Sequence, residues 1–382
     1  MSDLERDESG DPGRDLMRRL EERDERSRRA HAAAAELMGL PAAERPVFAG
    51  GHPDCLAPEF VELMIAMARE RRGPAPEESV AFAHLAATAA EAAHAAGADD
   101  VDDARALAFA ELGNAHRICG DLRRAGVAFG LARERVRFAA DPLVRAEVDS
   151  LEASYLDKRG DLEGADHLLA RAERVQRKVG SPHGVGRVRI QRGLVAHTRG
   201  DCQQAISLLD SALDLIDGEA EPQLVLIGVH NLAASLIDAD RPDSALKILR
   251  RHRYSYESIG GPLAAGRLAW LEGRAALRAG LSGLAESALE EARECFACER
   301  RPYESALICL DLAEAFARQG RWLEVEEEAA ATLALCQSCG AEPEAIAAAN
   351  LLFEASKRRQ ASAEGLVALA AAVRDRLKTL GG

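Results

Sequence analysis

Two cysteine pairs, Cys295-x-x-Cys298 and Cys336-x-x-Cys339, carry the spacing in this chain most suggestive of chemistry. Paired C-x-x-C segments supply four thiolates. That is the donor set of a structural zinc site or of a redox dithiol, provided the intervening segment folds back on itself. Each pair, however, stands four residues before a proline, Pro302 in one case and Pro343 in the other. The pairs therefore occupy equivalent places in neighbouring helices. Packed helices lie ~8–10 Å apart, whereas sulfurs sharing one zinc at ~2.3 Å must come within ~4 Å of each other. Bent helix ends are needed to close that gap. Nothing in the pattern demands them, and small buried or half-buried thiols satisfy it as it stands. Together with Cys55, Cys119, Cys202 and Cys309, the pairs read as the reduced thiols of a cytosolic protein, not as a disulfide framework.

The other candidates for chemistry are weaker. His52 and Asp54 lie just before Cys55 in a Gly/Pro-rich stretch, which is either a poor metal site or a polar surface loop. Gly184-Val185-Gly186 opens a helical pattern with no strand before it, so a dinucleotide fingerprint has no context. The motifs H-E-x-x-H, G-x-x-x-x-G-K-[ST] and G-x-S-x-G are absent. Glu326, Glu327 and Glu328 form an acidic run best read as a solvated helix face. These observations favour a non-catalytic protein.

The elements that position these residues follow a period of forty. Pro142, Pro182, Pro222, Pro262 and Pro302 recur at that interval, and Pro343 comes one residue late. Gly120, Gly160, Gly200, Gly280 and Gly320 run in step, with Asp240 in the vacant slot. So do Ala125, Ala165, Ala205, Ala245 and Ala285, with Val325 last. One structural unit is thus used about seven times. In each unit the proline opens a helix A, where its missing N–H costs nothing. The glycine stops that helix in the left-handed conformation, and the polar residue that often follows it, as in Gly120-Asp121, Gly160-Asp161 and Gly200-Asp201, can cap a helix B of about 16–18 residues. Phe129, Leu169, Leu209, Leu249 and Leu289 lie one turn beyond the alanine series, and Ala132, Ala172, Ala212 and Ala292 follow them. This alternation of small and large lets helices approach closely and interlock.

Ahead of the array, residues 1–14 read as a disordered tail and 15–56 as a charged helix followed by a loop. Residues 57–100 read as a degenerate capping hairpin, with helices near 57–72 and 76–96, and 101–380 as the array itself. The last pair of helices is expected near 343–359 and 362–379.

The segment Ala108–Val136 resembles a tetratricopeptide repeat. Leu112-Gly113, Gly120, Ala125, Phe129 and Ala132 match that family's pattern. Gly193, Gly200, Ala205, Leu209 and Ala212 match it again, as do Gly273, Gly280, Ala285, Leu289 and Ala292. The period of forty departs from the family's usual ~34, and the large aromatics of helix A are mostly replaced by Ala or Leu. Long-period arrays of this kind resemble the sensor or scaffold parts of bacterial regulators. The resemblance implies an all-α, right-handed α-solenoid of about seven hairpins with an N-terminal helical cap. Its A helices would line an inner wall that holds a protein or peptide. The family's inward positions fall on Asn114, Arg117, Asp157, Lys158, Arg187, Gln191, His197, His230, Asn231, Arg267, Trp270, Arg274, Asp311 and Glu314. A side-chain amide pairs with both polar groups of a peptide backbone, and arginine grips a carboxylate bidentately. The resemblance therefore implies a partner that is acidic or ends in a carboxylate. The family's two-carboxylate clamp is not matched, because Ala110 stands where its lysine belongs.

Composition agrees. Across 382 residues, 47% are hydrophobic but only 4% aromatic, so the apolar content is largely Ala and Leu, which suits close-packed helices. A net charge of −14 argues against direct nucleic-acid binding and against anionic membrane surfaces. No run of about 18 apolar residues is present to span a bilayer. The N-terminal residues lack the apolar stretch of a secretory signal, which points to a cytoplasmic protein. The expectation is a peptide-binding scaffold without cofactors. A peptide-responsive regulator module is the first alternative, and a zinc- or thiol-dependent sensor using Cys295, Cys298, Cys336 and Cys339 is the second.

Overall fold

The computed structural model describes residues 12–341, 343–358 and 363–377. Every regular element among them is helical. Contacts divide the chain into two compact units, Met1–Gly180 and Ser181–Gly382. The first contains α1 (Pro12–Gly39), α2 (Arg45–Gly51), a 3-10 turn at Pro53–Leu56 and three hairpins. These are α3 (Pro58–Arg71) with α4 (Pro76–Ala95), α5 (Asp102–Ile118) with α6 (Leu122–Arg135), and α7 (Pro142–Lys158) with α8 (Leu162–Lys178). The second contains α9 (Pro182–Thr198) with α10 (Cys202–Leu213), α11 (Pro222–Asp238) with α12 (Pro242–Ile259), and α13 (Gly261–Arg278) with α14 (Ser282–Cys298). It ends with α15 (Pro302–Arg318) and α16 (Trp322–Ser338), then α17 (Pro343–Arg358) and α18 (Ala363–Leu377).

The seven expected hairpins are present, with three corrections at their margins. Residues 40–56 are not simply a loop, because Pro46 and Pro53 stand in the first turn of short helices, second in one and first in the other, instead of interrupting them. Helix α1 already begins at Pro12, within the stretch read as a disordered tail, whose residues 1–11 lie outside the described residues. Two B helices are shorter than expected, 14 residues in α6 and 12 in α10. Residues 359, 362, 378 and 379 of the last expected helices also lie outside the described residues.

The forty-residue punctuation works as backbone chemistry. Gly200 takes φ +85° after α9, and Asp240, filling the vacant glycine slot after α11, takes φ +56°. Asp and Asn tolerate this left-handed region better than other side chains do. The caps are real hydrogen bonds. Asp121, Asp161 and Asp201 accept from the N–H groups of Arg124, Gly164 and Gln204 at 2.8, 2.9 and 3.0 Å.

Packing within each hairpin sets a small residue of helix A under a large one of helix B. Ala125, Ala165, Ala205, Ala245, Ala285 and Val325 are all completely buried, and so are Leu209, Leu249 and Leu289. The facing positions of the A helices are Gly113, Ala153, Gly193, Ala233, Gly273 and Ala313, alternately glycine and alanine. A Cβ added at Gly193 would stand 2.5 Å from Leu209 Cγ, and one at Gly273 would stand 2.6 Å from Leu289 Cγ. The large residue thus rests directly on the helix A backbone, which brings the axes together.

Buried acids tie successive hairpins. Glu152 on α7 pairs with Arg133 on α6, and Glu272 on α13 pairs with Arg253 on α12 at 2.6 Å. In both cases the arginine comes nineteen residues earlier, on the preceding helix B. Glu111 is likewise held by Arg69 and Arg72, whereas Asp149 is held within its own hairpin, by Arg171 of α8. A buried carboxylate is tolerated when it is so paired.

Gly193→Ala is expected to destabilise the second unit by about 1–3 kcal/mol through overpacking against Leu209. Pairing it with Leu209→Ala should cost less than the sum of the two single changes, because each then relieves the other. Denaturant melts of the four chains measure this; strict additivity would mean that the two residues do not share the contact.

Candidate functional site

In the second unit, the face of the A helices away from their B partners carries a connected set of polar side chains. On α11, Asn231 Nδ2 donates to the Ile227 carbonyl at 2.7 Å, and Ser235 Oγ donates to the Asn231 carbonyl at 2.8 Å. A hydroxyl has one proton, so His197 Nδ1, 3.0 Å from Ser235 Oγ, must itself donate. The other ring nitrogen of His197 lies 3.6 Å from Asp238, whose second oxygen accepts from Arg274 at 3.0 Å. The chain Asn231–Ser235–His197–Asp238–Arg274 links α9, α11 and α13. Nearer the start of α9, Arg187 donates to Glu221 at 2.7 Å. Gln191 is half-buried.

Beside this chain lies an unsatisfied group. His230, half-buried on α11, has no hydrogen-bond partner among the described residues, and its Nδ1 is fully covered. Burial, together with the charges of Arg267, Arg274 and His197, holds its pKa down to about 4, so the ring is neutral at pH 7. Arg267 is exposed and forms no ion pair among the described residues. Tyr256 on α12 is 2% exposed, and its hydroxyl has no partner. Burial raises its pKa against the opposing charge of Arg267.

Trp270 is not the free anchor its inward position suggested. Its indole N–H donates to Asp311 at 2.7 Å, and its ring meets Phe296 edge-on at 5.9 Å. Asp311 and Glu314 do not line an open wall either. Helix α18 packs on α15 as well as on α17, and with α14 and α16 also packed on it α15 is buried continuously from Ser305 to Ala317. Asp311 is then paired with Arg374 of α18, and Glu314 with Arg318.

In the first unit Asn114 is buried, and its Oδ1 accepts from Arg117 at 3.1 and 2.8 Å. Its amide oxygen is therefore turned inward, because the arginine one turn later folds back over it. Burial and neighbouring Arg72 lower the Arg117 pKa, and burial raises that of Asp157. Lys158 is exposed.

The cysteine pairs do not assemble. Cys295 donates to the Pro262 carbonyl at 3.0 Å, Cys298 is exposed and Cys336 is buried. Among the described residues no group of three or more His, Cys, Asp or Glu is placed to hold a metal. This corrects the zinc alternative: helix packing keeps each pair on its own hairpin. Burial pushes the Cys336 thiol up to about 11 and that of Cys55 to about 12, so neither is a thiolate nucleophile at neutral pH.

Sequence reasoning missed Tyr256, Ser235 and Asp238. Tyr256 carried a signal, as one of only four tyrosines in an aromatic-poor chain. Asp238 and Ser235 had none beyond helical spacing from Asn231.

No protein-family model matches the chain, and no curated protein sequence does. Solved structures are similar in fold. A Rap protein complexed with competence and sporulation factor superposes with TM-score 0.58 at 11% identity, over 85% of this chain and 89% of that one. The apo form of RapI gives 0.63 at 11% identity, over 84% and 86%. A signal-transduction ATPase with a tetratricopeptide repeat sensor, from Pyrococcus horikoshii, gives 0.62 at 12% identity, over 92% of this chain and 53% of that one. The fold is a tetratricopeptide-type array of helical hairpins. Among the described residues no helix of this array is long and apolar enough to cross a membrane.

A histidine whose folded pKa lies below its ordinary value binds fewer protons folded than unfolded. Stability present above pH ~6.5 is therefore lost as the pH falls toward 4. The His230 contribution amounts to at most about 1.4 kcal/mol per pH unit in that window. Denaturant melts at several pH values should show a shallower acid slope for His230→Gln than for wild type; identical slopes would contradict the assignment.

Proposed function

We propose that the chain is a non-catalytic scaffold that binds a peptide or an extended protein segment on the A-helix face of its second unit. The observation that carries this reading is the row of polar side chains on consecutive A helices. Gln191, Asn231, Arg267 and Arg274 lie on α9, α11 and α13, with Arg267 exposed and unpaired. Repeat proteins use such a face because the fold holds it ready, so the receptor loses little entropy on binding. Asn231 already accepts at its carbonyl and donates from its amide, which leaves its side-chain oxygen for a peptide N–H. The exposed arginine on a protein of net charge −14 makes an acidic or carboxylate-ended segment the fitting ligand. That a Rap protein of this fold was crystallised with competence and sporulation factor, and that another protein carries such repeats as a sensor, agrees with the reading.

The second reading, a peptide-responsive regulator, is favoured by the chain of hydrogen bonds from Asn231 to Arg274. A ligand that pulls on Asn231 or Arg274 would shift contacts across three A helices at once. Both readings place the protein in the cytoplasm and need no cofactor.

A library of short random peptides panned against the full chain tests the proposal. Enriched peptides are expected to lose at least tenfold in affinity, about 1.4 kcal/mol, with Asn231→Ala combined with Arg267→Glu. Lys247→Ala, an exposed position on the B helix α12, should leave binding unchanged. Peptides that bind both variants like wild type would place the binding face elsewhere.

A further inference from the structure

The last helix of the second unit breaks the stacking rule of the array. Within each unit consecutive A helices pack on one another, α3 on α5 on α7 in the first and α9 on α11 on α13 on α15 in the second. By that rule α17 belongs against α15, yet among the described residues it does not pack there. It packs on α16, and α18 takes its place against α15. The sequence of α18 suits that contact. Leu366, Ala370, Val373 and Leu377 are buried and form one stripe at helical spacing, while Glu364, Ala368, Ala372 and Asp375 are exposed. Its charged grip is Arg374, whose Nη2 donates to Asp311 Oδ1 at 2.5 Å. The indole N–H of Trp270 on α13 donates to the other oxygen of the same carboxylate at 2.7 Å.

The residue so gripped belongs to the proposed binding face. In the forty-residue register Asp311 stands where α9 has Gln191 and α11 has Asn231. Those two are half-buried, whereas Asp311 is 3% exposed. The row that begins on α9 and α11 therefore ends, on α15, in a seat already filled by a helix. The fit leaves a gap lined by Ala313, Ala317, Leu352, Leu366, Val367 and Ala370. Side chains beside such a gap lose packing contacts on that side.

We propose that α18 is a displaceable occupant of the A-helix face, and that what displaces it is an amphipathic partner helix of the same pattern, an apolar stripe with an arginine set over Asp311. This proposal rests on the A-helix face being the binding face, and it makes the α15 end of that face a helix-in-groove site. A tethered helix competes at an effective concentration of roughly millimolar. An outside helix therefore wins by filling the gap with a side chain larger than Ala370, or when α18 is weakened. Displacement parts Arg374 from Asp311 and changes the surroundings of the Trp270 indole, which is bonded to the same carboxylate.

The test uses the full chain, and the probe is a synthetic, end-blocked, fluorescently labelled peptide with the sequence of residues 363–377. In one receptor α18 is weakened in place by Leu366→Asp combined with Arg374→Glu. That receptor is expected to bind the peptide at least tenfold more tightly than the wild-type chain does, because its seat is vacated. A peptide that itself carries Arg374→Glu should bind the same receptor at least tenfold more weakly than the unaltered peptide. With Trp322→Phe added, Trp270 is the sole tryptophan, and its fluorescence should change as the peptide binds. Equal binding to both receptors, binding to neither, or indifference to the arginine in the peptide would overturn the proposal. Should the double variant not fold, hydrogen exchange of the wild-type chain decides. The amides of α18 are expected to exchange at least tenfold faster than those of α15 and α16, through an opening of their own, and rates no faster would make α18 a fixed part of the core. The two proposals fail separately. Panned peptides that bind wild type and the weakened receptor alike, with the α18 peptide bound by neither, sink only the displaceable helix. An α18 peptide bound by the weakened receptor of a chain that captures no panned peptide sinks only the scaffold reading.

Discussion

The structure depends on one contact, repeated: a large side chain of helix B resting on the bare backbone of helix A. Leu209 over Gly193 and Leu289 over Gly273 leave no room for even a methyl group. Close packing is what makes such contacts discriminating, since interiors have few voids to absorb an extra carbon. With axes drawn together on one side, each helix A keeps its opposite side for other duties. In the second unit that side holds Gln191, Asn231, Arg267 and Arg274. Tight packing on one face and polar residues on the other are thus two results of the same spacing.

Electrostatics in the interior follow a rule of matched pairs. Glu111, Asp149, Glu152, Glu272 and Asp311 are all nearly inaccessible, and each is met by at least one arginine. Removing one partner from such a pair costs far more than the pair contributes, because it leaves the other charge buried and uncompensated.

Much of the architecture was legible in the sequence because it is written in punctuation. Proline at a helix start, glycine or Asp240 in the left-handed position after helix A, and aspartate at the cap of helix B are local demands of the backbone. The proline and the left-handed position recur at forty residues, whereas the aspartate cap is kept only in the first three units, at Asp121, Asp161 and Asp201, and gives way to Arg241, Leu281 and Arg321 after them. The site was less legible, since position on a helix does not reveal what covers it. Asn114 occupies the same repeat position as Arg274, yet Arg117 folds over the first while the second reaches Asp238. Asp311 and Glu314 fell to α18, whose packing on α15 breaks the pattern that the earlier hairpins obey. Trp270 was spent on that same junction. The prolines at 46 and 53 misled for a simpler reason: proline marks a loop and the first turn of a helix equally well.

Amide hydrogen exchange of the full chain with and without a panned peptide tests the account most directly. Binding on the A-helix face predicts slowed exchange in α9, α11 and α13, with α10, α12 and α14 unchanged. Protection confined to those B helices, or to the first unit alone, would contradict it.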